Sequence, residues 1–107
     1  MPKKSMDSLT ESMFYVLLAL NRSPMCGIDI AQLIESCTGG RLRIGPATLY
    51  TILGKFEKEQ YIEEILVEGR KRTYRITEKG RIAYREELDR LRCCLADAQR
   101  MEGGFPQ

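Results

Sequence analysis

The sequence predicts a mainly α-helical chain with one small β-hairpin and a long C-terminal helix. Three observations carry this expectation. Apolar residues recur at helical spacing in three segments before residue 60 and again after residue 80. Residues 61–67 and 72–76 are rich in β-branched and aromatic side chains, as strands are. A turn holding Gly69, Arg70, Lys71 and Arg72 joins those two runs.

The first helix is announced by Ser8-Leu9-Thr10-Glu11, a capping-box pattern that places Ser8 at the cap. Leu9, Met13, Val16, Leu17 and Leu20 then form its apolar stripe. Asn21 to Pro24 interrupts the pattern. A second helix is expected from about Gly27 to Thr38, with Ile30, Leu33, Ile34 and Cys37 on one face. Gly39-Gly40 ends it, because glycine accepts the left-handed conformation that closes a helix. Arg41 to Ile44 reads as a short, strand-like connector.

Gly45-Pro46 opens the third helix, since proline suits the first helical position. Leu49, Ile52, Leu53 and Phe56 form its apolar stripe. Its other face carries Ala47, Thr51, Gly54 and Lys58, flanked by Tyr50 and Lys55. Small and hydroxyl side chains let a backbone approach base edges, and lysines suit phosphates. The alternative for such a face is plain solvent exposure. Gly54 is anomalous, because mid-helix glycine costs roughly 1 kcal/mol against alanine. Thr77 is a good cap for the fourth helix, and Glu78 favours its positive end. That helix is expected to reach about Met101, ~36 Å at 1.5 Å per residue. Tyr84, Leu88, Leu91, Leu95 and Ala98 follow a coiled-coil-like spacing of 4-3-4-3. A seam this long needs a second subunit or the first helix of the same chain to cover it. Gly103 to Gln107 reads as a frayed tail.

A helix followed by a basic-tipped hairpin is the layout of a winged helix-turn-helix, in which the helix enters the major groove and the hairpin reaches flanking DNA. The organisation expected is therefore a DNA-binding domain over 8–77 and a dimerisation helix over 78–101. Charge distribution agrees better than total charge does. The chain of 107 residues carries a formal net charge of only +2, but between Arg70 and Arg81 six basic residues stand against one acid, Glu78. A 43% hydrophobic fraction is too high for a disordered chain. No apolar run approaches the ~18–20 residues of a membrane span. The N-terminus has Lys3 and Lys4 but no signal-peptide layout, so a cytoplasmic location is expected.

Enzyme chemistry is not indicated: there is no histidine, no phosphate-gripping glycine loop and no nucleophile elbow. No cofactor or metal is expected. The four cysteines, Cys26, Cys37, Cys93 and Cys94, form no CxxC pair and read as reduced, mostly buried thiols. The adjacent Cys93 and Cys94 leave open a thiol- or soft-metal-responsive regulator. A winged helix that binds protein rather than DNA is a further alternative, and it would call for an apolar wing.

In combination, several segments resemble the PadR family of bacterial transcriptional regulators, in its short subfamily with a single C-terminal helix. They are Gly27-Ile28-Asp29-Ile30, Pro46-Ala47-Thr48-Leu49-Tyr50, Leu53 with Phe56-Glu57, Gly69-Arg70-Lys71-Arg72, Tyr74, and Ile76-Thr77-Glu78-Lys79-Gly80. The resemblance spans roughly Ser8 to Leu95. It implies a winged-helix homodimer that represses transcription from a palindromic operator. It implies that Tyr50 touches a phosphate, that Ala47 and Thr51 face bases, and that Arg70 to Arg72 contact flanking DNA. The full DNA-contacting set expected is Pro46, Ala47, Thr48, Tyr50, Thr51, Lys55, Gly69, Arg70, Lys71 and Arg72. Dimerisation, and any site for a small aromatic or hydrophobic effector, falls to Tyr84, Leu88, Leu91, Cys94, Leu95 and Ala98. Two departures stand out. Gln60 occupies a position where the family usually has glycine, which implies a strained turn. The chain has no tryptophan to grip a flat effector.

Overall fold

The computed structural model describes residues 9–104. Ser8, the lysines at 3 and 4, and the last three residues of the expected tail lie outside it. Four helices and three strands follow in the order α1 (Glu11–Arg22), β1 (Met25–Cys26), α2 (Gly27–Cys37), α3 (Pro46–Lys58), β2 (Ile62–Glu68), β3 (Lys71–Ile76) and α4 (Glu78–Glu102). The mainly helical class with a small sheet is as the sequence implied.

The helices begin where hydrogen-bond chemistry starts them. α1 is capped by Thr10, whose Oγ1 accepts from the Met13 N–H at 3.1 Å, two residues later than the expected Ser8. α3 begins on Pro46 after an extended Gly45. α4 is capped by Thr77, which accepts from the Gly80 N–H at 3.1 Å. The end of α2 uses Gly39 and Gly40, both at positive φ (60° and 82°). Arg41 to Ile44, expected to be strand-like, forms no strand. Instead the Leu42 N–H donates to Thr38 Oγ1 at 3.1 Å, tying the connector back to the helix end.

The sheet is antiparallel in the order β1-β3-β2. β1 was not anticipated, because two residues carry no alternation to read. It pairs Met25 with Tyr74 and Cys26 with Thr73, which pins the base of the hairpin to the start of α2. β2 and β3 form the wing, with a register shift between Glu64 and Leu66 that leaves Ile65 as the extra residue and strengthens the local twist. The turn is only two residues, Gly69 and Arg70. Lys71 and Arg72, expected in the turn, belong to β3. Gly69 supplies the positive φ (63°) that a two-residue hairpin loop needs.

The core gathers one stripe from each element. Phe56, Leu17, Leu20, Ile30, Ile34, Leu53 and Val16 are its largest fully buried side chains, and Tyr74 and Ile76 close it from β3. Burial pushes the phenol groups of Tyr61 and Tyr74 above the usual tyrosine range, Tyr61 further by Glu59 and Glu86. Both stay neutral where the other carboxylates and lysines are charged.

α3 ends in a turn that carries unusual strain. The Tyr61 N–H donates to the Phe56 carbonyl at 2.8 Å and the Gln60 N–H to the Glu57 carbonyl at 3.0 Å. This Schellman pattern requires a left-handed residue, and Gln60 takes it at φ 63°. It is the only non-glycine residue at positive φ among the described residues. α4 then lands on the same turn. The Thr77 hydroxyl lies 2.7 Å from the Gln60 carbonyl and 3.0 Å from the Tyr61 carbonyl, and the Thr77 N–H donates to the latter at 2.9 Å. Gly80 is buried here, and a Cβ on it would stand 2.1 Å from the Tyr61 carbonyl oxygen. Two substitutions should therefore move stability in opposite directions. Gln60→Gly relieves the left-handed penalty and should raise stability by about 1 kcal/mol, ~4–8 °C in Tm. Gly80→Ala overpacks the joint and should lower stability by ~1–3 kcal/mol or more. Thermal unfolding checks both, and a neutral Gly80→Ala would contradict the close packing described.

Candidate nucleic-acid interface

α3 buries Leu49, Ile52, Leu53 and Phe56 and so turns its other face outward. Pro46, Ala47, Thr48, Tyr50, Thr51, Gly54, Lys55 and Lys58 are all exposed. Thr51 Oγ1 donates to the Ala47 carbonyl at 2.9 Å. Its proton is thus committed within the helix, while its methyl and oxygen lone pairs stay free for a neighbour. Nothing within 4 Å would meet a Cβ on Gly54. The free chain therefore gives no packing reason for that glycine.

Beside this face lies an open groove of about 330 Å³ lined by Cys26, Gly27, Ile28, Asp29, Tyr50, Arg70, Lys71 and Arg72. Three elements meet in it. β1 pairs with β3 and thereby brings the wing to the start of α2. Gly27 is the seat of Tyr50: a Cβ there would stand 2.8 Å from the Tyr50 hydroxyl oxygen. Cys26 caps α2 without any side-chain hydrogen bond, so no side chain satisfies the first-turn N–H groups of that helix. A helix N-terminus of this kind, beside a phenol hydroxyl and the wing arginines, suits a phosphate oxygen. Asp29 in the same turn sets a limit on how much negative charge the groove accepts.

The ion pairs sort the basic run of 70–81. Arg75 donates to Glu63 Oε2 from Nη2 at 2.6 Å and from Nε at 3.1 Å. Arg72 stands 3.7 Å from Glu64. The Lys79 ammonium lies over the Tyr61 ring at 5.7 Å, and Arg81 reaches Asn21 Oδ1 at 3.3 Å. Among the described residues, no ion pair uses Arg70, Lys71, Lys55 or Lys58. The run that looked uniformly basic in sequence thus offers a compact cluster at the wing tip, Arg70 to Arg72, while Arg75, Lys79 and Arg81 serve the fold. The sequence had not marked Gly27 or the start of α2 as part of the site; the tyrosine that Gly27 seats is 23 residues away in the chain.

The seam of α4 divides in two. Tyr84 stacks on Phe14 of α1 (5.6 Å between centroids, 19° between planes) and Leu88 is half-buried. Leu91, Cys94, Leu95 and Ala98 are exposed. Glu87, the one buried charged residue of the described chain, is paired with Arg90, whose Nη1 also lies 3.7 Å from Cys94 Sγ. The thiols correct the sequence reading, because Cys26 alone is buried and Cys37, Cys93 and Cys94 are exposed. Two of these three sit on the part of α4 that projects past the body. Among the described residues, no group of side chains could hold a metal ion, and no helix is long and apolar enough to cross a membrane.

A three-helix body with a basic wing and a long terminal helix defines a winged-helix regulator. The chain belongs to the transcriptional regulator PadR-like family, whose profile matches residues 16–86. It is thus a member of a family of transcription regulators, not of enzymes. It is 35% identical over 71 residues to a 37.1 kDa protein of transposon TN4556 from Streptomyces fradiae, covering 66% of this chain and 20% of that one. It is 36% identical over 66 residues to protein X of Lysinibacillus sphaericus, covering 58% of this chain and 60% of that one. The chain thus spans a fifth and three fifths of these relatives. Among solved structures, a transcriptional regulator from Clostridium thermocellum superposes with a TM-score of 0.74 at 26% identity, over 82% of this chain and 89% of that one.

Gly54 gives a direct test of what the outward face is for. Gly54→Ala should raise helix stability by about 1 kcal/mol, because the free chain leaves room for the methyl group. Thermal unfolding with and without bound DNA reads this. A stabilised variant with weakened DNA binding means the glycine serves close approach, and a destabilised one contradicts the open geometry.

Proposed function

We propose that this chain is a sequence-specific DNA-binding repressor that acts as a homodimer on a palindromic operator in the cytoplasm. The observation that carries this reading is the groove in which the start of α2, Tyr50 of α3 and Arg70 to Arg72 of the wing converge. It adjoins the exposed, small-residue face of α3. In this reading Ala47, Thr48 and Thr51 face base edges, and Pro46 lets the helix begin close to the groove floor. Tyr50, Lys55, Arg70, Lys71 and Arg72 hold phosphates, and Gly69 turns the wing tip. Dimerisation is supported by the uncovered Leu91, Leu95 and Met101 on a helix of 25 residues, about 37 Å long. The domain division follows the same logic: residues 8–77 bind DNA and 78–101 pair the subunits.

Helix and wing then divide the labour. Against an operator selected from random DNA, Thr51→Ala should cost ~1–3 kcal/mol on the selected site and little on random sequence. Arg70→Ala and Lys71→Ala should weaken both about equally and flatten the dependence of log affinity on log salt by ~1 per charge. Gel-shift titrations across salt concentrations check this. An Arg70→Ala variant with unchanged affinity and slope would contradict the role given to the wing.

Regulation requires an effector that binds one state better than the other. The seam residues and a groove of about 310 Å³ beside them, walled by Phe14, Tyr15, Glu87, Arg90 and Leu91, favour a small aromatic or hydrophobic effector. The exposed Cys94 beside Arg90 favours the second reading, release by an oxidant or a soft metal. Aromatic compounds should release the operator equally from the wild type and a Cys93→Ser/Cys94→Ser variant. Release by peroxide or metal from the wild type alone would establish the thiol mechanism instead.

A further inference from the structure

The functional surface has a third edge. On the side of α3 away from the wing, a groove of about 380 Å³ is lined by Thr10, Ser12 and Met13 of α1 and by Ala47, Thr48, Thr51, Ile52 and Lys55 of α3. The start of α1 therefore stands directly beside the residues assigned to base edges. The chain enters α1 through Thr10 in an extended conformation (φ −69°, ψ 168°). Residues 1–8, Met-Pro-Lys-Lys-Ser-Met-Asp-Ser, join the helix at this point and bring two lysines against one aspartate.

The local charge is arranged to tolerate a phosphate. Glu11 is the acid of the first turn of α1 and would repel DNA from this edge. It is held by Arg41, whose Nη1 donates to Glu11 Oε2 at 2.7 Å while Nη2 reaches the Tyr15 hydroxyl at 3.3 Å. Arg41 comes from the connector between α2 and α3, thirty residues away in the chain. The neighbouring Lys55 takes part in no ion pair among the described residues. Reach is sufficient. Five residues separate Lys4 from Leu9, and at ~3.3–3.6 Å per residue they span up to ~17 Å. The major groove that α3 would occupy is ~12 Å wide.

We infer that the start of α1 is a third DNA-contacting edge, where Lys3 and Lys4 take phosphates of the strand opposite the wing and Arg41 neutralises Glu11 to let that strand approach. This rests on the DNA-binding reading above and deepens it. The body is then gripped from both sides of the recognition helix. The contact is to backbone, so it adds affinity without adding sequence preference.

The experiment uses the full chain and duplex DNA, both the selected operator and a random duplex, titrated between 50 and 200 mM salt. Lys3→Ala/Lys4→Ala should weaken binding to both duplexes by tenfold or more at ~0.1 M salt and reduce the salt slope by about 2. Arg41→Ala should also weaken binding to both, and Glu11→Gln in the Arg41→Ala background should restore it. That rescue separates charge repulsion from damage to the fold, and unchanged thermal unfolding of the lysine variant does the same there. A lysine variant with wild-type affinity and slope overturns the inference and leaves the DNA-binding reading standing. A wild type that binds neither duplex overturns both.

Discussion

The joint between the end of α3 and the start of α4 is the constraint on which the rest of the architecture depends. Three backbone groups of the 60–61 turn are engaged at once by Thr77, and Gly80 packs against the Tyr61 carbonyl at a distance no side chain could share. The turn itself is held in the left-handed region by Gln60, a residue that pays an energetic penalty there. Its strain persists because helix, strand and terminal helix all converge on it. The direction in which α4 leaves the body follows from this contact, and α4 carries the apolar seam. Tyr84 against Phe14 continues the fixation along α1. Whatever pairs two copies through Leu91 and Leu95 therefore also sets the separation of their α3 helices.

The same sheet that fixes α4 also places the wing. β1 is two residues long, yet its pairing with Tyr74 and Thr73 draws the hairpin toward the N-terminus of α2. Without it the wing would be tied to the body only through its own base. With it, Arg70 to Arg72 stand across a groove from Tyr50. Surface ion pairs of the wing contribute little to stability, each about 0–1 kcal/mol. Their larger effect is selective: Glu63 and Glu64 engage Arg75 and Arg72, while Arg70 and Lys71 remain available at the tip. The groove belongs to the free chain, so a DNA backbone would meet a surface that is already assembled.

Much of this was legible in the residues. The four helices, the hairpin, Pro46 at the start of α3 and Thr77 at the start of α4 all follow from periodicity and capping chemistry, because each is a local signal. The strain at Gln60 was legible too, from a side chain standing where a glycine is customary. What escaped the sequence is of another kind. β1 is too short for alternation, and the seat of Tyr50 on Gly27 links residues that only tertiary packing brings together. The cap of α1 was misplaced because Ser8 and Thr10 are both competent caps, and only the hydrogen bond to Met13 decides between them. The thiols were misjudged because cysteine is usually buried, whereas Cys93 and Cys94 ride on a stretch of α4 that no other part of the chain covers. The basic run was legible as charge, but its division between fold and tip depends on partners across the sheet.

The account stands or falls on whether α4, held at the Gly80–Tyr61 joint, presents two recognition helices to one face of DNA. The most direct measurement is the symmetry of the sequences this protein enriches from a random duplex library. The account predicts an inverted repeat whose half-site centres lie ~10–10.5 base pairs apart, ~34–36 Å, or a multiple of that spacing. Enrichment of a single unsymmetric site, or of no sequence at all, would contradict it.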